Sequence, residues 1–242
     1  ENFDFLKNLY IKKKFPKVLM LSGKKGSGKS TLINHLMFFI FDKKNYDDIN
    51  YKLSSHSHFY NQFINNINTN VIYLSGSDFK NTKIEDIRNL KTKIYQTIIS
   101  DLPRFIIFDD VELFNNNCLN ALLKIIEEPS KNNFFVLLNN KSKPLIETIK
   151  SRCLDIKIIL NEKKRQNIIT SLIEKFTINM IIDQETSKLT PGNFIKFNYI
   201  FDKSQISLNE NFLDNLEILL NLYKKDKDVM FIDMISFLTD NY

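Results

Sequence analysis

Tryptophan is absent from this 242-residue chain, and glycine, proline and cysteine are scarce at five, five and two residues. So little glycine and proline excludes a collagen-like or low-complexity organisation. The two cysteines, Cys118 and Cys153, lie too far apart in a chain of this length to suggest a disulfide framework, and they point to a reducing, cytoplasmic compartment. No apolar run reaches the roughly 18 residues that a bilayer-spanning helix needs, so no membrane is expected as a partner. No signal peptide opens the chain. The first residue is Glu rather than Met, which marks a clipped N-terminus or a fragment. What is present is 43% hydrophobic and 12% aromatic, enough for one medium domain with smaller ones attached. A net charge of +6 permits an anionic partner such as DNA. A base-composition bias toward Asn, Lys and Ile accounts for that charge equally well.

Three of the five glycines fall in one stretch, Gly23-Lys24-Lys25-Gly26-Ser27-Gly28-Lys29-Ser30-Thr31. It fits the phosphate-loop pattern G-x-x-x-x-G-K-[ST] at every fixed position. The backbone of such a loop curls around a polyphosphate with its N–H groups inward, which glycine permits without steric cost. Lys29 then meets the β and γ phosphates, and the Ser30 hydroxyl is placed for Mg²⁺. Residues 18–21 read as a buried strand entering the loop and 32–41 as an apolar helix leaving it, its positive end toward the phosphates. A Gly/Lys-rich surface turn is the bland alternative, and it would not require strand, loop and helix in that order. Gly23, Gly26, Ser27, Gly28, Lys29, Ser30 and Thr31 are therefore candidate ATP-binding residues.

Upstream, Phe5, Leu6, Leu9, Tyr10 and Ile11 recur at helical spacing before Lys12-Lys13-Lys14, an amphipathic helix whose basic run reads first as a solvated face. Residues 42–70 are polar and Asn-rich, without clean periodicity. His56 and His58 have a metal-like spacing, but two imidazoles with no cysteine or third histidine nearby do not fill a tetrahedral site, so no zinc is expected. Residues 71–74 read as a second strand. After it Ile84, Ile87, Leu90, Ile94 and Ile98 step by three or four, a helix with one buried stripe, which Pro103 closes.

The run Phe105-Ile106-Ile107-Phe108 delivers Asp109-Asp110 at the C-terminal edge of a strand, where open α/β sheets bind ligands. Asp109 fits the second magnesium-organising residue of a P-loop NTPase. A helix containing Asn120-Ala121-Leu122-Leu123-Lys124 ends at Glu127-Glu128-Pro129. Two acids in a last turn oppose the helix dipole by about a few tenths of a kcal/mol each, so a tertiary or partner contact explains them better than local stability. Residues 134–138 form another buried strand, which hands the chain to Asn139-Asn140 at the edge facing the nucleotide. Ser151-Arg152-Cys153 precedes a last strand over 156–160.

The phosphate loop, Ile84-Glu85-Asp86-Ile87-Arg88, Asp109-Asp110, Asn120-Ala121-Leu122-Leu123-Lys124, Glu127-Glu128-Pro129 and Ser151-Arg152-Cys153, in this order, resemble the clamp-loader branch of the AAA+ ATPases. The likeness runs over about residues 15–200. It implies an α/β fold: an AAA+ P-loop domain, a parallel sheet flanked by helices, over residues 1–160, then a helical lid over 161–202. The apolar helical stripes Leu213, Leu216, Leu219, Leu220, Tyr223 and Met230, Phe231, Met234, Ile235, Leu238 then correspond to the beginning of a helical collar over 205–242. It implies ATP and Mg as cofactors, and as partners the other loader subunits of a hetero-oligomeric arc, a sliding clamp and primed DNA. By position Arg152 resembles the arginine finger that a subunit extends to its neighbour's ATP. Asn140 falls at the sensor of the γ-phosphate.

Departures from the family pattern bear on activity. Active members carry Asp-Glu where this chain has Asp109-Asp110, and the Glu is their catalytic base. Asp110 is shorter by one C–C bond, about 1.5 Å, and a misplacement of about 1 Å can cost on the order of a hundredfold in rate. The lid lacks the family's Gly-Ser-x-Arg arginine, its place being Leu189-Thr190-Pro191-Gly192-Asn193-Phe194. The four-cysteine zinc module found after the first helix in many members is missing. A loader subunit with weak hydrolysis of its own is therefore expected; the bland alternative for Arg152 is a local salt bridge to an acid such as Asp155 that fixes the end of a strand. The alternatives are a hydrolysis-competent motor subunit and a P-loop protein outside replication.

Overall fold

Short runs rich in Phe, Ile, Leu and Val form the strands of a parallel sheet. The structure, a computed structural model, describes residues 1–76, 94, 102–130, 132–208 and 211–241. In chain order its strands are β1 (Val18–Ser22), a hairpin of β2 (Tyr46–Asp47) and β3 (Lys52–Leu53), then β4 (Val71–Ser75), β5 (Arg104–Asp109), β6 (Asn133–Asn139) and β7 (Leu154–Lys157). The five-stranded sheet has the order β4-β5-β6-β1-β7, and each neighbouring pair is parallel. Side chains alternate across a strand, so each strand serves two cores. Met20, Ile106, Phe108, Phe135 and Leu137 enter one apolar cluster, while Leu19, Leu21, Phe105, Ile107, Val136 and Leu138 enter the other. Fully burying each such side chain stabilises the fold by about 1.5–3 kcal/mol.

Helices α1 (Asn2–Ile11), α2 (Lys29–Phe41) and α3 (His58–Ile64) cover one face through Leu6, Ile33, Leu36, Met37, Phe38 and Phe59. Helices α4 (Asn116–Glu127) and α5 (Glu147–Lys150) cover the other through Leu119, Leu122, Ile125, Ile126 and Ile149. Side-chain caps start α3 and α4: Ser57 accepts from the Tyr60 N–H and Asn115 from the Cys118 N–H, both at 2.9 Å. Residues 42–70, featureless by periodicity, thus hold the hairpin and α3. The N-terminal stripe is Phe3 and Leu6, with Leu9 and Tyr10 half-buried, whereas Phe5 and Ile11 are exposed. The helix expected through Ile84, Ile87, Leu90, Ile94 and Ile98, with its Ile84-Glu85-Asp86-Ile87-Arg88 motif, lies outside the described residues except for Ile94, which is buried.

The chain divides into two compact units, Glu1–Ile159 and Leu160–Tyr242. In the second, α6 (Glu162–Phe176), α7 (Pro191–Lys203), α8 (Phe212–Asp226) and α9 (Met230–Asn241) share a core of Ile169, Phe194, Phe197, Phe201, Leu219, Phe231, Met234 and Leu238. Buried Asn198 ties the preceding loop to α7, its Oδ1 accepting from the Ile181 and Ile182 N–H groups at 2.7 and 2.9 Å. The stripe of α8 differs in part from the expected one. Leu219 and Asn215 face inward, Leu213 and Leu220 are exposed, and Asn215 Nδ2 donates to the Ser207 carbonyl at 2.7 Å. No helix among the described residues is long and apolar enough to cross a membrane.

Candidate functional site

β1 lies between β6 and β7, neither of them its neighbour in sequence, so the sheet's direction of growth reverses at its C-terminal end. Such a switch point is where open α/β sheets bind ligands. The loop 23–28 leaves β1 there. Gly28, the N-cap of α2, has φ +91°, a left-handed conformation that glycine adopts without a Cβ penalty. The first turn of α2 carries no acid and its cap residue has no side chain, so its amides and dipole remain suited to an anion. Lys29 is 3% exposed and folds back on the loop, Nζ donating to the carbonyls of Gly23 at 2.8 Å and Lys24 at 2.9 Å. Burial pushes its pKa down to about 8, with Asp109, Glu112 and Asp110 pulling the other way.

The ends of β5 and β6 supply the acidic side. Ser30 Oγ donates to Asp109 Oδ2 at 3.3 Å, and the Tyr73 hydroxyl donates to the same oxygen. The Asp110 N–H donates to Asp109 Oδ1 at 2.9 Å. Asp110 itself is left-handed, φ 49°, and its carbonyl lies where a Cβ on Gly76 would be only 2.2 Å away. Gly76 is thus required by backbone approach. Asn140 Nδ2 donates to Asp110 Oδ1 at 2.5 Å. Burial raises the Asp110 pKa, while Lys25 and the Asn140 hydrogen bond lower it. The Tyr73 phenol is raised by burial and by Asp109, which keeps it a donor.

The structure therefore gathers the loop, Lys29, Ser30, Asp109, Asp110 and Asn140 at one sheet edge. Ser27 Oγ lies 3.4 Å from Lys29 Nζ, and Thr31 is exposed on α2. Asn139, expected at that edge, is buried, and its Oδ1 accepts from the Lys141 N–H at 2.9 Å. Arg152 joins neither the loop nor Asp109. Nη2 pairs with Glu127 at 2.7 Å and Nη1 donates to the Thr148 carbonyl at 2.8 Å. The expected local acid, Asp155, instead accepts from Ser22 Oγ at 2.7 Å. The last strand runs over Leu154–Lys157 rather than 156–160. Beyond it the Ile158 N–H reaches the Ser22 carbonyl at 2.7 Å, and Ile159 is 76% exposed.

Tyr73 and Glu112 escaped sequence reasoning. Tyr73 reads as one apolar position of a strand, and Glu112 sits in Val111-Glu112-Leu113 with no motif around it. Glu112 is 5% exposed and accepts from the Asn140 N–H at 3.1 Å and Ser142 Oγ at 2.7 Å, fixing the turn that presents Asn140. An acid between two apolar residues, Val111 and Leu113, was the available signal.

The donor set fits magnesium. A hydroxyl and a carboxylate oxygen 3.3 Å apart are hard ligands of the kind that ion takes, with waters and phosphates completing its shell. Among the described residues no group of three or more His, Cys, Asp or Glu side chains could hold a metal ion on its own.

The parallel sheet with its strand order, the phosphate loop after β1 and the acid after β5 define an AAA+ fold. The chain belongs to the family described as DNA polymerase III, delta subunit, whose model matches residues 1–162. It is 26% identical over 244 residues to the DNA polymerase III subunit delta' of Buchnera aphidicola subsp. Baizongia pistaciae, covering 92% of this chain and 70% of that protein. It is 33% identical over 109 residues to subunit gamma of Buchnera aphidicola subsp. Schizaphis graminum, covering 45% of this chain and only 30% of that one. A solved DNA polymerase III gamma subunit-related protein of Thermotoga maritima superposes with TM-score 0.52 at 17% identity, over 99% of this chain and 78% of its own, a likeness of fold. The resemblance read from the sequence motifs is borne out.

Proposed function

We propose that the chain is a delta prime-like subunit of a DNA polymerase III clamp loader, which binds ATP at the loop 23–31 and hydrolyses it weakly or not at all. Its partners are then other loader subunits, a sliding clamp and primed DNA. The family membership and the delta' relative that covers 92% of the chain support this reading. In it the phosphates draw the Lys29 ammonium from the Gly23 and Lys24 carbonyls, α2 faces them with its N-terminus, and Asn140 reads the γ-phosphate. Ser30 and Asp109 hold magnesium, which offsets phosphate charge when bound. Arg152 acts in trans on a neighbour's ATP, residues 161–202 form the lid, and 205–242 begin the collar.

The observation that carries weak hydrolysis is Asp110. It is a short acid, left-handed and engaged by Asn140, so its carboxylate is poorly free to activate a water. The experiment is equilibrium titration with a fluorescent ATP analogue beside a steady-state ATPase assay. Micromolar binding that Lys29→Ala abolishes without loss of fold, with negligible turnover, is expected. Unchanged affinity in Lys29→Ala contradicts the site. A motor subunit is the second reading, favoured by the gamma relative and the intact loop, and brisk turnover by the wild-type chain selects it.

A further inference from the structure

We propose that Tyr73 is a positioning residue that sets how strongly magnesium couples to nucleotide at this site, by occupying the Asp109 oxygen that faces Ser30. The inference rests on the phosphate-loop reading above. In the β4–β5 pairing Ser75 stands opposite Asp109. Tyr73, two residues earlier on β4, therefore projects to the same face of the sheet, where its ring packs in the apolar cluster under α2. Its hydroxyl reaches Asp109 Oδ2.

Oδ2 is the oxygen that matters to the cation, because the Ser30 hydroxyl donates to it and the Ser30 oxygen is the other hard donor of the set. A carboxylate oxygen has about two lone-pair positions. Ser30 and Tyr73 fill both on Oδ2, leaving none for a water in the cation's shell. The orientation of Asp109 does not depend on the phenol, since the Asp110 N–H holds Oδ1 at 2.9 Å. Magnesium binding therefore requires the phenol to release Oδ2, and Tyr73 acts as a latch that weakens the metal's contribution to nucleotide affinity.

Tyr73→Phe removes the hydroxyl and keeps the packed ring. The test titrates the fluorescent ATP analogue into the wild-type and Tyr73→Phe chains, once with Mg²⁺ and once with EDTA. Equal affinities in EDTA are expected. With Mg²⁺ the variant binds about tenfold tighter, the scale of one competing hydrogen bond to a charged group. In an Asp109→Asn background, which removes the charged acceptor, Tyr73→Phe makes no further difference. If the wild type binds the analogue and both chains respond equally to Mg²⁺, the latch is overturned while the phosphate loop stands. If the wild type does not bind at all, both fall. A shift in EDTA equal to that in Mg²⁺ assigns Tyr73 a packing role only and also overturns the proposal.

Discussion

The Arg152 guanidinium lies 2.7 Å from the Glu127 carboxylate, joining the Ser151-Arg152-Cys153 turn to the end of α4. Glu127 opposes the negative end of its own helix, and this tertiary contact explains its presence there. With Nη1 on the Thr148 carbonyl, the guanidinium is held from two sides and still 39% exposed.

In the role proposed for Arg152, the guanidinium depends on Glu127 as its holder. Glu127→Gln is expected to change stability by no more than about 1 kcal/mol, as for other solvent-screened ion pairs, and to leave the chain's own ATP affinity unchanged. The ATPase of a reconstituted loader should fall by roughly tenfold to a hundredfold, the scale of a misplaced group. An unchanged rate would separate Glu127 from function.

Asp110→Glu lengthens the acid at the proposed base position by one C–C bond, about 1.5 Å. The left-handed backbone at Asp110 tolerates Asp better than Glu, so a stability loss of about 1 kcal/mol is expected. ATP turnover in an assembled loader should rise. A variant that is destabilised with no gain in turnover counts against Asp110 as the limiting residue.

Asn198→Ala tests the core of the second unit. It leaves the Ile181 and Ile182 amides without their acceptor, and an unsatisfied buried group costs about 1–3 kcal/mol. Chemical denaturation should report a loss of that size, and a change within a few tenths of a kcal/mol would contradict it.

Cys153, beside Arg152, is a structural thiol. Its Sγ–H donates to the Ile149 carbonyl at 3.1 Å, and burial, helped by Asp155, pushes its pKa up to about 12. At pH 8 it is almost wholly protonated, and the thiolate is the reactive form. Alkylation followed by mass spectrometry should be about a hundredfold slower than for a peptide thiol, allowing for the greater nucleophilicity of a more basic thiolate, and should accelerate as pH rises toward 12. A rate equal to the peptide's would overturn this environment.

Elements buried on both faces were legible in the sequence. Phe105-Ile106-Ile107-Phe108 has nowhere to go but a sheet interior, and the loop's glycines and Lys29 carry their chemistry in their spacing. β7 starts two residues before the expected 156–160; as an edge strand paired only with β1 it has a weaker apolar signal. Leu154, inside it, is 47% exposed, while Ile158, beyond its end, is buried. The stripe of α8 is partly legible: Leu219 and Tyr223 pack in the core as expected, while Leu213 and Leu220 are exposed and the polar Asn215 is buried, which an apolar period does not encode. Tyr73 was illegible for a related reason, since its contact with Asp109 runs across strands and is encoded by neither composition nor period, while Glu112 left only the faint signal of an acid between apolar residues.

In the proposed function this chain completes a neighbour's site with Arg152. The most direct measurement is the DNA- and clamp-stimulated ATPase of a loader reconstituted with Arg152→Ala and otherwise wild-type subunits, with melting temperature recorded alongside. The predicted result is a fall of roughly 10³-fold or more at the affected site, the scale of an arginine finger, with this chain's ATP affinity and melting temperature essentially unchanged. Wild-type ATPase and clamp loading by the mutant assembly, or a loss traced to unfolding of the mutant chain, would contradict it.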